Sequence, residues 1–197
     1  MQQKRWNTHF GKTVFTATAL IISAGASAIP QSAAMLSNAC GGCHGTQGAS
    51  AGPAMPSLAG QSKEAIVDAM KKFKSGERPS SIMGRLAKGY SDADFVAMGT
   101  FFAGQKIHVT QQTLDQKRVA RGAALQEANC SRCHLEDGKE GKDETPAMAS
   151  QWLPYLQMQM ALYLEDKRKM PEKMAEKVKP LSMDDLESLL HFYANVK

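Results

Sequence analysis

The sequence lacks several features that mark common functional classes. Only 7% of its 197 residues are aromatic, and no stretch alternates polar and apolar residues convincingly enough to predict a β-strand. No G-x-G-x-x-G fingerprint follows a predicted strand, so a flavin or nicotinamide cofactor has no recognisable site on this chain. No basic stripe with interleaved aromatic residues is present. These absences argue against a dinucleotide-dependent enzyme and against a nucleic-acid-binding protein.

Long apolar runs are also missing, and the longest one predicts an export signal rather than a membrane span. Lys4, Arg5 and Lys12 precede the apolar segment 13–24, and the small residues 26–28 (ASA) form a cleavage pattern. The apolar segment is well short of the roughly 20 residues that a membrane helix needs. We therefore expect cleavage after residue 28 and a periplasmic mature protein with no membrane span. Without residues 1–28, the formal charge of +5 falls to +2, which indicates neither a nucleic-acid nor a membrane partner.

All four cysteines of the chain lie in two short motifs, CGGCH at 40–44 and CSRCH at 130–134. A disulfide within such a motif would close a very small loop and leave the histidine without a role. A zinc site needs four ligands, and each motif offers only three. In covalent haem attachment, by contrast, both thiols form thioethers and the adjacent histidine binds the iron. We therefore predict two covalently bound haem c groups, attached and ligated by Cys40, Cys43 and His44 and by Cys130, Cys133 and His134.

An internal repeat divides the chain into two parts. The segments 56–61 and 146–151 match at an offset of 90, as do Cys40 and Cys130. Met83 and Met174, and the residue pairs at 94–95 and 185–186, match at an offset of 91. Two runs of agreement separated by one inserted residue indicate a duplicated domain. The predicted organisation is a signal peptide at 1–28, domain 1 at 29–110 and domain 2 at 111–197.

Helical patterns dominate both domains, which predicts an all-α fold. A final helix in each domain should begin at a serine followed three residues later by an acid, Ser91 with Asp94 and Ser182 with Asp185. The loop at 135–146 is polar and predicted to be exposed. The other helical segments are predicted at 31–39, 62–74, 114–129 and 152–167.

Each domain also offers a sixth ligand for a haem iron. Met83 and Met174 both lie eight residues before the serine that begins the final helix. Met170 is an alternative to Met174, but only Met174 keeps the repeat. Ligation by histidine and methionine fills the iron and raises its potential, which suits electron transfer rather than oxygen chemistry.

Two prolines could supply the hydrogen-bond acceptor that orients each histidine ring. Pro56 and Pro146 each follow the histidine of their domain by 12 residues. A carbonyl at that place would accept the Nδ1–H of the ring and fix its orientation. Alternatively, the prolines only shape the loop, and Pro53 takes the role in the first domain.

The mature chain resembles the dihaem cytochromes c, a family built from two tandem class I cytochrome c domains. CGGCHGTQGASAGPAMPSLAG fits both the free c4-type carriers and the cytochrome subunit of flavocytochrome c sulfide dehydrogenase. The runs FKSGERPSSIMGRLAKGYSDADF, QWLPYLQ and KMAEKV are more similar to that subunit. The loop after the second motif is shorter than expected, and Ser150 stands where the family has glycine. The resemblance implies haem attachment at the four cysteines and axial His44, Met83, His134 and Met174.

The resemblance to the sulfide dehydrogenase subunit also implies a function. The chain would form a heterodimer with a flavoprotein that carries FAD and oxidises sulfide, and it would pass the electrons to an external acceptor. It would then be a non-catalytic electron-transfer subunit. The aromatic run at 152–156 is a candidate for the core of the interface with this partner, although such residues in a small haem domain more often line the haem pocket. The alternatives are a stand-alone carrier between a membrane reductase and an oxidase, or a dihaem peroxidase, which two matched methionines argue against.

Overall fold

The computed structural model of the protein describes residues 32–141 and 143–197. The predicted export signal at 1–28 lies outside these residues. Among the described helices, none is long and apolar enough to cross a membrane. Below, the first half means residues 32–103 and the second half means residues 116–197, with a linker at 104–115 between them.

The first half consists of three short helices and two longer ones. Ser32 precedes α1 (Ala33–Asn38) and Ser62 precedes α3 (Lys63–Ser75), and each serine hydroxyl accepts a backbone N–H of the first helical turn. Helix α3 buries Ile66 and Met70 on its apolar face. The helices are α1 (Ala33–Asn38), α2 (Gly41–His44), α3 (Lys63–Ser75), α4 (Met83–Leu86) and α5 (Asp92–Ala103).

The second half has four helices in the order of α1, α3, α4 and α5, and a small hairpin follows its cysteine motif. Its helices are α6 (Gln116–Asn129), α7 (Leu153–Leu164), α8 (Glu172–Val178) and α9 (Met183–Asn195). The segments predicted at 31–39, 62–74, 114–129 and 152–167 therefore form helices whose ends agree to within three residues. Both predicted capping boxes are confirmed, since Ser91 with Asp94 and Ser182 with Asp185 exchange side-chain and backbone hydrogen bonds.

The loop after the second cysteine motif is largely exposed, as predicted. Within it, β1 (His134–Leu135) and β2 (Glu140–Gly141) pair as antiparallel strands of two residues each. Gly138 is buried between them, and a Cβ atom there would lie 2.7 Å from the Tyr193 ring. The sequence did not predict that this glycine packs against an aromatic ring of the last helix.

Each half has its own apolar core, built where its final helix crosses the other helices. The first core consists of Leu36, Ile66, Met70, Ala87, Phe95, Met98 and Phe102. The second core consists of Leu156, Leu189, Leu190, Phe192, Tyr193 and Ala194.

Reciprocal hydrogen bonds join the two halves. The Gln61 side chain donates to the carbonyl of Ala147 at 2.7 Å and accepts the Ala147 N–H at 3.0 Å. At the matched position, the Gln151 side chain donates to the carbonyl of Ser57 at 2.7 Å and accepts the Ser57 N–H at 3.0 Å. The contact is therefore an exchange between equivalent residues, as in a two-fold symmetric dimer.

The aromatic run at 152–156 contributes to this seam between the halves. The Trp152 indole N–H donates to the carbonyl of Ser50 at 3.1 Å, and the Tyr155 hydroxyl accepts a hydrogen bond from Arg78 at 3.3 Å. The polar ends of these two aromatic side chains are thus used inside the chain. They give no support to the expectation that this run forms the core of a partner interface.

Ser150, which stands in place of an expected glycine, holds the linker. Its φ of 58° matches the left-handed φ of 77° at Gly60, the equivalent residue of the first half. A non-glycine residue is strained in this region, but here the Ser150 hydroxyl accepts the N–H of Thr110 at 2.9 Å. The Ser150 carbonyl also accepts the Thr110 hydroxyl at 2.9 Å. These contacts with the linker offset the strain.

Candidate haem centres

The first cysteine motif forms a compact helical turn that presents a buried histidine. The N–H of His44 donates to the carbonyl of Cys40 at 3.0 Å, and only 7% of His44 is exposed. Its Nδ1–H donates to the carbonyl of Pro56 at 2.8 Å. The predicted carbonyl acceptor is therefore confirmed at Pro56, and Pro53 does not take this role. The bond fixes the tautomer and leaves Nε2 with a lone pair for a metal.

The second motif forms the same turn but holds its histidine differently. The N–H of His134 donates to the carbonyl of Cys130 at 3.0 Å. However, the buried Nδ1 atom of His134 has no hydrogen-bond partner in the described part of the chain. The interpretation that Pro146 accepts this proton was wrong for the second half. His134 belongs to β1 and pairs with Gly141, whereas His44 ends a helix.

The candidate methionines lie in the first turn of the short helices that precede the capping boxes. Met83 is the first residue of α4, and its N–H donates to the hydroxyl of Ser80 at 2.8 Å. Met174 lies in the first turn of α8, and its N–H donates to the carbonyl of Pro171 at 2.9 Å. In both cases the acceptor is three residues upstream. Met170 lies before α8, and the choice of Met174 over Met170 stays a prediction from the repeat.

The one-residue shift in the repeat can be located in the structure. The N–H of Arg78 donates to the carbonyl of Lys72 at 3.0 Å, and the N–H of Arg168 donates to that of Leu162 at 2.9 Å. These equivalent turns still differ by 90 positions, while Met83 and Met174 differ by 91. The inserted residue therefore lies in the second half between Arg168 and Met174.

A comparison across both halves decides the family. Cytochrome c4 of Pseudomonas aeruginosa is 32% identical over 155 residues, which cover 75% of this chain and 71% of that protein. The chain belongs to the dihaem c4-type cytochromes c. The family profile described as "Cytochrome c" matches residues 31–112, and that of "Cytochrome C oxidase, cbb3-type, subunit III" matches residues 117–192.

Two further relatives extend the comparison. The cytochrome subunit of sulfide dehydrogenase from Chlorobaculum tepidum is 44% identical over 68 residues, covering 34% of this chain and 61% of that protein. The crystal structure of reduced recombinant cytochrome c4 from Pseudomonas stutzeri has a TM-score of 0.71 and 25% identity, covering 81% of this chain and 94% of that one. The fold is therefore two cytochrome c domains in tandem, as predicted, and the protein is a dihaem electron-transfer cytochrome.

The residues of this cytochrome fit covalently bound haem. No disulfide joins any of the four cysteines. Burial lowers the pKa of His44, and it lowers the pKa of His134 to about 4, so both imidazoles are neutral at neutral pH. In the described residues, no group of three or more histidine, cysteine, aspartate or glutamate side chains is placed to hold a metal ion. The zinc alternative therefore gains no support, while two cysteines followed in sequence by a neutral imidazole meet the needs of haem attachment.

A polar pair beside the second motif was missed by the sequence reasoning. The Tyr193 hydroxyl donates to Oε1 of Gln126, and Nε2 of Gln126 donates to the carbonyl of His134 at 2.8 Å. Burial raises the pKa of Tyr193, which keeps its hydroxyl protonated. The ring centroids of Tyr193 and His134 are 5.8 Å apart. The repeat could have revealed this pair, because polar Gln126 and Tyr193 stand where the first half has apolar Leu36 and Phe102.

Proposed function

We propose that each half binds one haem c through its own cysteines, histidine and methionine. The observation that supports this most is the recurrence of one arrangement: a neutral histidine directly after a cysteine pair in sequence, with a half-buried methionine in the short helix before the capping box. The thioether-forming residues are Cys40, Cys43, Cys130 and Cys133, and the axial pairs are His44 with Met83 and His134 with Met174.

These side chains determine what the centres do. A bound haem iron supplies one-electron oxidation and reduction. A histidine imidazole and a methionine thioether from each half would hold the iron, and with both bound no position would stay open for oxygen or peroxide. The carbonyl of Pro56 holds the His44 ring in one orientation, which keeps that ligand in place as the charge changes. This arrangement favours a carrier of electrons over a dihaem peroxidase.

We further propose that the chain is the cytochrome subunit of a periplasmic sulfide dehydrogenase whose partner chain carries FAD. The 68-residue likeness to such a subunit supports this assignment. In this heterodimer, the flavoprotein would oxidise sulfide, and the cytochrome would pass the electrons on to an external acceptor. The cytochrome would be non-catalytic by itself.

An apolar surface on the first half supports a lasting partner and indicates where it docks. Met35 is 62% exposed and Leu86 is 52% exposed, and both line a groove of about 580 Å³. Ile82, next to Met83, is 48% exposed. We call Met35, Ile82 and Leu86 the apolar patch. Exposed apolar groups grouped in this way typically mark an interaction site.

The second half presents a different surface at the same place. Lys173 and Lys177 occupy the positions equivalent to Ile82 and Leu86, and both are exposed. Charged residues are depleted in the cores of lasting interfaces and suit brief contacts with a charged partner. We therefore propose that the apolar patch binds the flavoprotein and that the surface around Lys173 and Lys177 binds the external acceptor.

The test replaces two residues of the apolar patch with the lysines found at the equivalent positions of the second half. The wild-type protein should co-purify with an FAD-containing chain, and sulfide should reduce its haems rapidly only in that complex. Ile82→Lys with Leu86→Lys should slow this reduction at least about tenfold through loss of the complex. Met183→Lys is the control, because Met183 is 68% exposed on α9 and lies outside the apolar patch. Equal losses in the control, or rapid reduction without the flavoprotein, would contradict the proposal.

A free carrier is the second candidate, because the likeness to cytochrome c4 extends over both halves. In that case, a membrane quinol oxidoreductase should reduce the isolated cytochrome rapidly, and native periplasm should yield no associated flavoprotein. Neither the wild-type protein nor the double lysine variant would then form a complex with an FAD-containing chain.

A further inference from the structure

The buried polar pair of the second half connects its last helix to its cysteine motif. The Tyr193 hydroxyl on α9 donates a hydrogen bond to Oε1 of Gln126 on α6, and Nε2 of Gln126 donates to the carbonyl of His134 at 2.8 Å. Both side chains are almost wholly buried. Tyr193 belongs to the apolar core that packs against Cys130. The pair therefore joins the centre of the second half to the histidine that its haem iron would use.

The first half shows that the fold does not need polar groups at these places. The equivalent residues there are Leu36 and Phe102, which pack in the first apolar core. Burying an amide and a hydroxyl costs free energy unless each group finds a hydrogen-bond partner, and an apolar pair of similar size avoids that cost. The packing of α6 against α9 therefore does not explain why the second half carries Gln126 and Tyr193.

The polar pair makes a contact that the second histidine otherwise lacks. In the first half, the carbonyl of Pro56 accepts the Nδ1–H of His44. In the second half, the buried Nδ1 atom of His134 has no hydrogen-bond partner within the described residues. Among the side chains that the structure describes, Gln126 is the one that donates to His134. Hydrogen bonds from side chains therefore influence this ligand through its backbone carbonyl.

We propose that Gln126 and Tyr193 are positioning residues that raise the midpoint potential of the second haem. Oxidation adds a positive charge at the iron, and the negative end of a nearby carbonyl dipole favours that charge. The N–H of Gln126 offsets the negative end of the His134 carbonyl, which disfavours the ferric state. The Tyr193 hydroxyl polarises the same amide, since hydrogen bonds in a chain strengthen one another. Neither residue is a ligand, so both act through His134.

The surroundings of the polar pair make this influence strong and constant. The pair lies in the core of the second half, where the low dielectric strengthens electrostatic interactions. Burial raises the pKa of Tyr193, so its hydroxyl stays protonated and remains a donor at neutral pH. The Gln126 amide carries no charge to titrate. The inference rests on the proposed haem attachment at the second motif but not on the flavoprotein partner.

The test follows each haem separately during a redox titration of the whole protein. In the ferrous state, the methyl group of an axial methionine gives an NMR signal that the haem shifts far upfield, and Met83→Ala and Met174→Ala assign the two signals. At a fixed potential, Gln126→Leu should lower the ratio of ferrous to ferric second haem at least about twofold, within the usual net energy of one hydrogen bond. Tyr193→Phe should lower this ratio less. Gln126→Leu with Tyr193→Phe should lower it no more than Gln126→Leu alone, and the first haem should not respond.

A matched control separates this effect from the loss of any buried hydrogen bond. Asn129 lies on the same helix beside Cys130, and its amide donates to the carbonyl of Leu125 rather than to His134. Asn129→Ala should therefore leave both ratios unchanged. The double variant carries the pair found in the first half, which guards against a failure to fold. Every variant should retain two covalent haems on extraction with acidified acetone, which keeps this inference apart from the proposed attachment itself.

Three results would overturn the proposal. If the variants lower only the urea midpoint, and the ratio for the second haem matches that of Asn129→Ala, the polar pair is structural. Equal changes at both haems would show a general effect on the protein rather than an effect through His134. A double variant that lowers the ratio by the sum of the single effects would show that Tyr193 does not act through Gln126.

Discussion

The two halves of this cytochrome share a backbone but secure their histidines by different means. In the first half, Leu36 and Phe102 belong to one apolar cluster that packs against Cys40, and the His44 ring is held by the carbonyl of Pro56. In the second half, Tyr193 and Gln126 take the places of Phe102 and Leu36, and Gln126 binds the backbone carbonyl of His134. The first half fixes the ligand ring, while the second fixes the ligand backbone.

This difference shows which parts of a duplicated domain are free to diverge. The capping boxes, the turns at Arg78 and Arg168 and the reciprocal glutamines remain matched, because each satisfies backbone groups at a helix end or at the seam. The side chains beside the two cysteine motifs differ, and hydrogen bonds and burial next to a haem tune its properties. The halves therefore offer internal controls for each other.

The largest expected effect is the loss of one haem at a time. Cys40→Ser with Cys43→Ser should leave one covalent haem in the second half, and Cys130→Ser with Cys133→Ser should leave one in the first. Thioether-bound haem survives extraction with acidified acetone, so the retained pigment measures the number of attached haems. Ser131→Ala, inside the second motif but not a ligand, should keep both haems. A chain whose haem is fully extractable would contradict covalent attachment in both halves.

Removing a methionine ligand should affect one haem and leave the other intact. Met83→Ala and Met174→Ala should each remove about half of the near-infrared charge-transfer band of methionine-ligated ferric haem. Each should also lower one midpoint potential, since the thioether favours the ferrous state. Met170→Ala is the matched control and should leave the band unchanged. If Met170→Ala removes half of the band and Met174→Ala does not, the pairing of Met174 with Met83 is wrong.

Local sequence patterns predicted most of the helices and their capping residues. The capping boxes and the helices around them follow from residues within one turn of each other, such as Ser182 with Asp185. The carbonyl of Pro56 was predictable because its spacing from His44 matches a short loop that returns to the ring.

The contacts that the sequence did not predict depend on the fold of the whole chain. Pro146 has the same spacing from His134, but the hairpin at β1 and β2 changes the path of the loop. The seam was also not predicted, since Gln61 and Ala147 are 86 residues apart and a glutamine pattern carries no sign of its partner. For the same reason, the run at 152–156 was interpreted as a partner surface, whereas Trp152 donates to Ser50 in the other half.

Exchanging the polar and apolar pairs should have a moderate effect on stability. Phe102→Tyr would bury a hydroxyl beside Leu36, and Tyr193→Phe would leave Oε1 of Gln126 without its donor. Each should lower the free energy of unfolding by about 1–3 kcal/mol, the usual cost of an unsatisfied buried polar group. Adding Gln126→Leu to Tyr193→Phe restores the pair found in the first half and should recover part of this loss. Urea unfolding measures all three variants. A double variant less stable than Tyr193→Phe alone would show that the bond from Gln126 to the His134 carbonyl matters more than the polar pair.

The smallest expected effect compares the two capping boxes at low pH. Hydrogen bonds from Ser182 and then from Arg121 lower the pKa of Asp185 from 3.8 to about 2, while bonds from Ser91 lower the pKa of Asp94 from 3.8. Arg121 approaches Asp185 at 2.6 Å, and Asp94 has no arginine partner among the described residues. A carboxylate whose pKa is depressed by folding stabilises the native state above its unfolded pKa, and this contribution is lost as the pH falls through the native pKa.

Asp94→Asn and Asp185→Asn should therefore both lower the urea midpoint near neutral pH, and both penalties should fade between about pH 4 and pH 2. The penalty of Asp185→Asn should persist to the lower pH, and in an Arg121→Gln background it should fade together with that of Asp94→Asn. Asp92→Asn, in the same first turn as Asp94 but outside the capping box, should have little effect. If the two penalties fade at the same pH in the presence of Arg121, the arginine does not distinguish the two halves.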